Sequence, residues 1–367
     1  MNNTELLALL ALLQIDGVGD IVAKKLLQHC GSAESVFKAH PKQLKAIDGV
    51  GEVLVRNLKS KIAFEKAEAE LRFITDEKIA VLYYQNDNYP NRLKHCADGP
   101  ILLFASGNFD FSNNPVISIV GTRQITTNGT VFCKKLIEDL AVFNPVIVSG
   151  FAYGVDIVAH QAALDCGLQT IGVLAHGLNQ VYPKTHKKYW AKMEQNGGFL
   201  TEFWSHSNPD KENFVKRNRI VAGMSEATIV IESAVTGGSL ITAAMANDYN
   251  RDVFAVPGRT TDKYSQGCNT LIKTQRAALI TSAADVVYGL NWELKSATTK
   301  SVQKQLFVTL ETEEQKMYDY LQINGKQLLD SLALACDFPI FKTASILLNM
   351  ELKGVVRPLP GKWFEVI

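Results

Sequence analysis

The chain has 367 residues, 47% of them hydrophobic and 20% charged, with a formal net charge of +1. That length holds two or three domains with ample core, and the charge balance excludes a globally basic coat, so a nucleic-acid surface has to be a local patch. No apolar run approaches the roughly 20 residues that span a bilayer, which excludes a membrane role of that kind. The opening stretch, MNNTELLALLALLQIDG, has no leading cation and reads as an amphipathic helix rather than a signal peptide. Cysteines at 30, 96, 133, 166, 268 and 336 are scattered, as reduced thiols of a cytoplasmic protein would be. No His or Cys cluster has metal-ligand spacing, so no metal is expected.

Residues 1–75 carry helix signal and an internal echo. Ile15-Asp-Gly-Val-Gly19 and Ile47-Asp-Gly-Val-Gly51 each precede an apolar helical pattern. Glycines at such a turn leave backbone N–H groups open at a helix start, where a phosphate can approach. The duplication is similar to a tandem helix-hairpin-helix module; contact with DNA and a purely structural hairpin both remain open. Residues 76–290 alternate β-branched runs (Val116–Val120, Val146–Ser149, Thr170–Leu174, Ala227–Ile231, Val253–Val256) with helical segments (Thr127–Leu140, Val155–Cys166, His186–Gln195, Phe214–Met224, Ser239–Tyr249). Continuous apolar strands separated by helices predict an α/β domain with a doubly wound, Rossmann-like parallel sheet, and ligands at the strands' carboxyl ends. Residues 291–306 read as a polar linker. Residues 307–367 then predict three helices and a β-hairpin, similar to a winged-helix domain.

The strand ends carry the chemistry. Gly121-Thr-Arg123 closes the first core strand with a glycine, the Thr122 hydroxyl and the Arg123 guanidinium. The next strand runs into Ser149-Gly150-Phe-Ala-Tyr153-Gly154-Val-Asp156, which is neither a dinucleotide fingerprint nor a phosphate loop with its lysine, so no cofactor is expected. It still predicts bare N–H groups at a helix start, with Asp156 as a cap and His160 as a packed histidine. A third loop ends in Gly237-Gly238-Ser239 with Thr242 one turn on. Finally, Phe214-Val-Lys216-Arg217-Asn218-Arg219 places cations where a helix should begin, against its dipole, beside an aromatic ring. Phosphate-neutralising cations next to a stacking ring are the ingredients of single-strand binding. Convergence of these loops on one sheet edge argues for an extended phosphate-rich ligand, with the α/β segment of about 80–290 carrying it alone.

Together with Tyr89-Pro-Asn-Arg-Leu-Lys-His-Cys-Ala-Asp-Gly-Pro-Ile-Leu-Leu-Phe104, Gly177-Leu-x-x-x-Tyr-Pro183, Arg251-Asp-Val-Phe-Ala-Val-Pro-Gly258 and Gly267-Cys-Asn269, these motifs resemble the DNA-processing protein A (DprA, or Smf) family from about 80 to 290. The resemblance implies a cytoplasmic, non-enzymatic single-stranded-DNA-binding protein of natural transformation and recombination. It implies that the protein shields incoming strands, dimerises through the α/β domain and helps load the RecA recombinase. It also implies DNA contacts at Arg123, the Ser149–Gly154 loop and Lys216–Arg219. The chain departs from the family pattern at Tyr153 (often Arg), Val215 (usually Pro) and Gly237 (usually Ser), and Tyr153 could replace a phosphate contact by stacking. The competing class is a nucleotide phosphoribohydrolase on the same fold, but the helix after Gly237 has no Glu to serve as its base. A sequence-specific regulator is weaker, because Phe341–Lys353 has few residues able to read base edges.

Overall fold

The computed structural model describes residues 2–111, 114–293, 310–359 and 363–367. Two compact units divide after Glu293. The first unit opens with a helical layer: α1 (Asn3–Leu13), α2 (Asp20–Cys30), α3 (Ala33–Lys38), α4 (Pro41–Lys45), α5 (Glu52–Asn57) and α6 (Lys61–Asp76). The two I-D-G-V-G strings form hairpins whose last glycines, Gly19 and Gly51, begin α2 and α5.

The α/β part follows in chain order: β1 (Ala80–Tyr83), α7 (Asn91–Lys94), β2 (Leu102–Asn108), β3 (Val116–Val120), α8 (Thr127–Leu140), β4 (Val146–Ser149) and α9 (Val155–Asp165). It continues with β5 (Thr170–Val173), α10 (Lys187–Gln195), β6 (Gly197–Thr201), α11 (Lys211–Met224), β7 (Ala227–Val230) and α12 (Gly238–Asp248). The last elements are β8 (Asp252–Ala255), α13 (Gln266–Lys273), β9 (Ala278–Leu279) and α14 (Ala283–Gly289). Among the described residues these strands form one nine-stranded sheet in the order β1-β2-β6-β5-β4-β3-β7-β8-β9. From β6 to β9 the pairs are parallel, and β1 and β2 add an antiparallel extension. The chain steps outward from β3 through β4 and β5 to β6, then returns to lay β7 on the other side of β3. The strand order therefore reverses at the β3–β7 pair, the crevice where a doubly wound sheet takes its ligand.

Alternation along the strands sends side chains into two cores. Val116, Val120, Val146 and Val148 pack with Ile220, Val221, Ala243 and Ala246 on one face. Ile117, Ile119 and Ile147 pack with Leu136, Ile137, Ala159 and Ala163 on the other. The doubly wound expectation holds, with two differences. The pairing of β1, β2 and β6 was not foreseen, and α11 begins at Lys211 rather than Phe214.

The helical layer shares a hydrophobic core with the sheet. Leu9, Leu10, Leu26 and Ile74 cluster with Tyr83, Ile101, Leu102, Phe104 and Trp204. Buried polar bonds fix the same contact: the Ser205 amide and hydroxyl both donate to Glu70, at 2.8 and 2.7 Å, and the Ile101 amide donates to Asp20 at 2.9 Å. The helical residues and the α/β residues are therefore one folded body.

The second unit contains α15 (Thr312–Asn324), β10 (Gln327–Leu328), α16 (Leu329–Cys336), α17 (Ile340–Leu352), β11 (Val356–Leu359) and β12 (Trp363–Val366), with the sheet ordered β10-β12-β11. Met317, Leu321, Leu332, Leu347, Met350 and Val356 form its core. Gln327 and Leu328, just ahead of α16, pair with β12. Most of the expected 291–306 linker lies outside the described residues. No single helix among them is long and apolar enough to cross a membrane.

Candidate nucleic-acid interface

At the strand-order reversal lies a pocket of about 260 Å³, lined from four loops and helix starts. Gly121, Thr122 and Arg123 come from the end of β3, Gly150 and Asp156 from the end of β4 and the start of α9, Phe214, Arg217 and Asn218 from α11, and Gly237, Gly238 and Ser239 from the start of α12. The structure thus brings together most of the residues that the sequence pointed to. Ser149, Tyr153, Gly154, Lys216 and Arg219 stand outside this lining.

Arg123 is the exposed cation of the pocket, with its guanidinium 5.1 Å from the centroid of the Phe214 ring. The Arg217 guanidinium lies 5.9 Å from the same ring. Phe214 therefore holds two cations by their attraction to its π-face, and its edge meets Tyr182 with the rings 5.9 Å apart. Sequence reasoning gave Phe214 a base to stack on; the structure gives it the positioning of Arg123. The N–H groups of Gly238 and Ser239 open α12 and make no hydrogen bond within the described residues. An open helix start facing an exposed arginine can take an anion.

Several expectations need correction. The cations of Phe214–Arg219 do not sit at a helix start, because Asp210 precedes α11 and Glu212 occupies its first turn. The helix places Phe214, Arg217 and Asn218 on one side and Lys216 and Arg219 on another, as a repeat of 3.6 residues requires. Arg217 is only 4% exposed; it donates to the carbonyls of Gly150, at 2.8 Å, and Val173, and lies against Asp156. Burial lowers its pKa to about 10 and raises that of Asp156, each opposed by the partner's charge. Arg217 Nε also donates to Asn218 at 3.2 Å, so the guanidinium is braced by backbone and side-chain oxygens and acts as a structural strut beside Asp156.

Arg219 faces the helical layer, bonded to Glu202, to Asp20 at 3.2 Å and to the Asp98 carbonyl. Burial lowers its pKa, but the neighbouring carboxylates outweigh this and hold it above the usual range, while burial pushes Glu202 up to about 7. Lys216 is exposed over a separate cleft lined by Gly19, Lys66 and Trp204. Neither cation reaches the Arg123 pocket.

The Ser149–Gly154 loop is likewise committed to the fold. Ser149 is fully buried and donates to the Ile119 carbonyl at 2.6 Å. The amides expected to be bare at Gly150 and Ala152 donate to Asp156, at 3.1 and 3.3 Å, so Asp156 closes the loop rather than capping α9. Gly150 is required because a Cβ there would lie 2.6 Å from the Arg217 guanidinium and 2.7 Å from Asp156. Gly154, at φ +75°, lets the chain pass the Thr122 carbonyl, 2.2 Å from where its Cβ would be. Tyr153 is 45% exposed beyond the pocket rim, accepting a hydrogen bond from Thr185 at 3.3 Å. Ser239 donates to Ser233 at 2.9 Å, and the Thr122 hydroxyl accepts from the Gln124 amide at 3.1 Å. His160 is buried, paired with Thr170 at 2.7 Å, and desolvation drops its pKa to about 3. Sequence reasoning missed that Asp156 and Arg217 are partners, although both lay in motifs it had singled out.

The hairpins of the helical layer are poor phosphate sites. Lys25 pairs with Asp48 at 2.6 Å and Lys45 with Glu52 at 2.5 Å, so the hairpins' own carboxylates take the nearest cations.

The sheet order and the pocket at its reversal define a doubly wound α/β protein. A model of the DNA recombination-mediator protein A family matches residues 80–291, and one of the SAM-like helix-hairpin-helix tandem matches residues 9–63. The chain is 41% identical over 202 residues to DNA processing protein DprA of Streptococcus pneumoniae, covering 55% of this chain and 71% of that protein. It is 32% identical over 308 residues to protein Smf of Escherichia coli, covering 82% and 80%. The X-ray structure of DprA from S. pneumoniae matches with a TM-score of 0.66 at 32% identity, over 80% of this chain and 99% of that one. A structure of DNA processing protein A from Helicobacter pylori, described for its single-stranded DNA binding mode, matches with a TM-score of 0.53 at 29% identity, over 58% and 96%. The chain belongs to the DNA recombination-mediator protein A family.

Proposed function

We propose that this chain binds single-stranded DNA, with a backbone phosphate held between Arg123 and the open start of α12. The observation that carries the reading is an exposed guanidinium with no carboxylate against it among the described residues, positioned by Phe214 at the strand-order reversal. The H. pylori relative, described as binding single-stranded DNA, supports the ligand class. Phosphate contacts without a base-reading helix favour binding that is indifferent to sequence. The cellular role we propose is cytoplasmic, in natural transformation and recombination, where the chain shields incoming strands, pairs with a second copy through the α/β part and delivers the strand to the RecA recombinase. Family membership supports that role. Catalysis is not part of it: the one carboxylate lining the pocket, Asp156, is committed to Arg217 and two backbone amides, so it is not free to act as a base.

Fluorescence anisotropy with labelled single strands and duplexes over a salt series tests the reading. Single strands should bind more tightly, with a log–log salt slope of roughly −0.7 per phosphate contacted. Equal affinity for duplex, or no salt dependence, rejects it.

A further inference from the structure

Outside the pocket, the least explained feature is α10 and the turn before it. Lys184, Lys187, Lys188 and Lys192 lie within nine residues, with no Asp or Glu between Pro183 and Met193. All four are exposed, none has a carboxylate within 4.0 Å among the described residues, and Lys188 lies over the Tyr189 ring at 4.9 Å. Lys187 and Lys188 occupy the first turn of α10, which has no acidic residue there, so they oppose the positive end of the helix dipole. Lys188 and Lys192 add like charges at four-residue spacing. The helix's own carboxylate, Glu194, is engaged elsewhere, accepting from Ser106 at 2.5 Å. In a chain of net charge +1, this concentration costs the free protein stability, and a bound polyanion relieves it.

The patch starts at the rim of the Arg123 pocket. Tyr182 touches Phe214, and Tyr153 is joined to the same turn through Thr185 and through His186, with its ring 4.9 Å from the imidazole. Tyr182 and Tyr153 are 40% and 45% exposed. Unpaired cations beside exposed rings are what a single strand uses for its phosphates and its bases.

We propose that the strand held at Arg123 leaves the pocket past Tyr182 and Tyr153 and lays its next phosphates along the lysines of α10. This rests on the reading of the pocket given above. The surface sets both the direction of the strand and a site longer than the pocket itself.

The test compares oligothymidines of about 6 and about 20 nucleotides, lengths that bracket common single-strand site sizes. The protein is the full chain, wild type and Lys187→Ala/Lys188→Ala/Lys192→Ala, with folding checked by circular dichroism. The short strand should bind both proteins equally. On the long strand the variant should lose affinity, and its log–log salt slope should shrink by about 2, from three contacts at roughly 0.7 each. A glutamine triple at the same positions keeps side-chain length and should behave alike. Unchanged long-strand affinity and slope overturn the proposal. So does an equal loss in Lys59→Ala/Lys61→Ala/Lys78→Ala, which would assign the effect to net charge. Failure of the underlying site looks different: Arg123→Ala would then leave short-strand binding intact.

Discussion

Phe214, Arg217 and Asn218 leave one side of α11 and line the strand-end pocket, whereas Lys216 and Arg219 leave the other side and meet the helical layer. Both arginines of this helix are held by the fold, although they leave it on different sides. Arg217 is held by the Gly150 and Val173 carbonyls and Arg219 by Glu202 and Asp20, and what they contribute is the position of the elements around them. Arg123, on a loop and with no carboxylate partner among the described residues, is the cation proposed to meet the strand. The comparison teaches that a cluster of cations in sequence says little until each one's partner is known. Buried arginines should therefore report on folding and the exposed one on binding.

The largest expected effect breaks the contact on the layer side. A chain cut to begin at residue 80 loses the cover over Tyr83, Ile101, Leu102, Phe104 and Trp204. Each large apolar side chain returned to water costs roughly 1.5–3 kcal/mol, and Arg219 loses Asp20 as well. The fragment should be insoluble or lack a cooperative unfolding transition, against the expectation from sequence that it carries binding alone. A soluble, cooperatively folding fragment that binds DNA would restore that expectation.

Next comes Arg217. Removing it leaves the buried Asp156 carboxylate without its opposing charge and the Gly150 and Val173 carbonyls without their donor, a loss on the order of 3 kcal/mol. Arg217→Ala should lower the midpoint of chemical unfolding accordingly, and Arg217→Met combined with Asp156→Asn should recover part of the loss. If Arg217→Ala unfolds like wild type while DNA affinity falls, Arg217 is a ligand contact rather than part of the framework.

Arg123→Ala sharpens the contrast. Loss of a hydrogen bond from a charged donor should cost about 1.5–3 kcal/mol of single-strand affinity, read by anisotropy, with the unfolding midpoint unchanged. A stability loss comparable to that of Arg217→Ala would show that Arg123 also belongs to the framework.

His160 gives a smaller, pH-dependent effect. Its folded pKa, about 3, lies below the ordinary histidine value of 6.5. Below pH 6.5 the unfolded chain takes up the proton that the folded one refuses, so stability falls as pH drops from 6.5 towards 3. The slope approaches about 1.4 kcal/mol per pH unit. Glu202, held up near 7 by burial, contributes the opposite slope over part of that range, so wild type must be compared with His160→Gln, in which Glu202 is unchanged. The variant should show the weaker acid destabilisation in unfolding curves between pH 6.5 and 5. Parallel pH profiles would mean that His160 is not the group responsible.

Much of the architecture was legible because apolar strands and amphipathic helices differ in period. Val116–Val120 and Thr127–Leu140 coincide with their observed bounds. Strand β6 was not legible: it opens with Gly197 and Gly198, which read as chain breakers, yet it is buried throughout. The start of α11 was misplaced because Phe214 stood out as the first apolar residue, while the polar first turn from Lys211 carries no hydrophobic signal. The pocket could be read from its glycine loops, since those sit at strand ends whatever fills them. The fate of each cation could not, because Arg217 meets Asp156, and Arg219 meets Asp20 and Glu202, only through the fold. The lysines of α10 were passed over because His186–Gln195 was read for its periodicity alone, although their lack of nearby acids was visible in the sequence.

The smallest expected effect concerns the second unit. On α17, Phe341 is 79% exposed and Leu348 56%, an apolar surface rather than a set of side chains able to read bases or neutralise phosphates. The flanking lysines are already engaged: Lys342 pairs with Glu313 and Lys353 with Glu314, both at 2.5 Å. The proposed strand site draws all its residues from the first unit, which is a compact body ending at Glu293. A chain ending at residue 293 should therefore bind single strands with unchanged affinity and an unchanged salt slope. A shallower salt slope in the shortened chain would show that residues 294–367 supply phosphate contacts, and would move part of the site off the sheet edge where Arg123 stands.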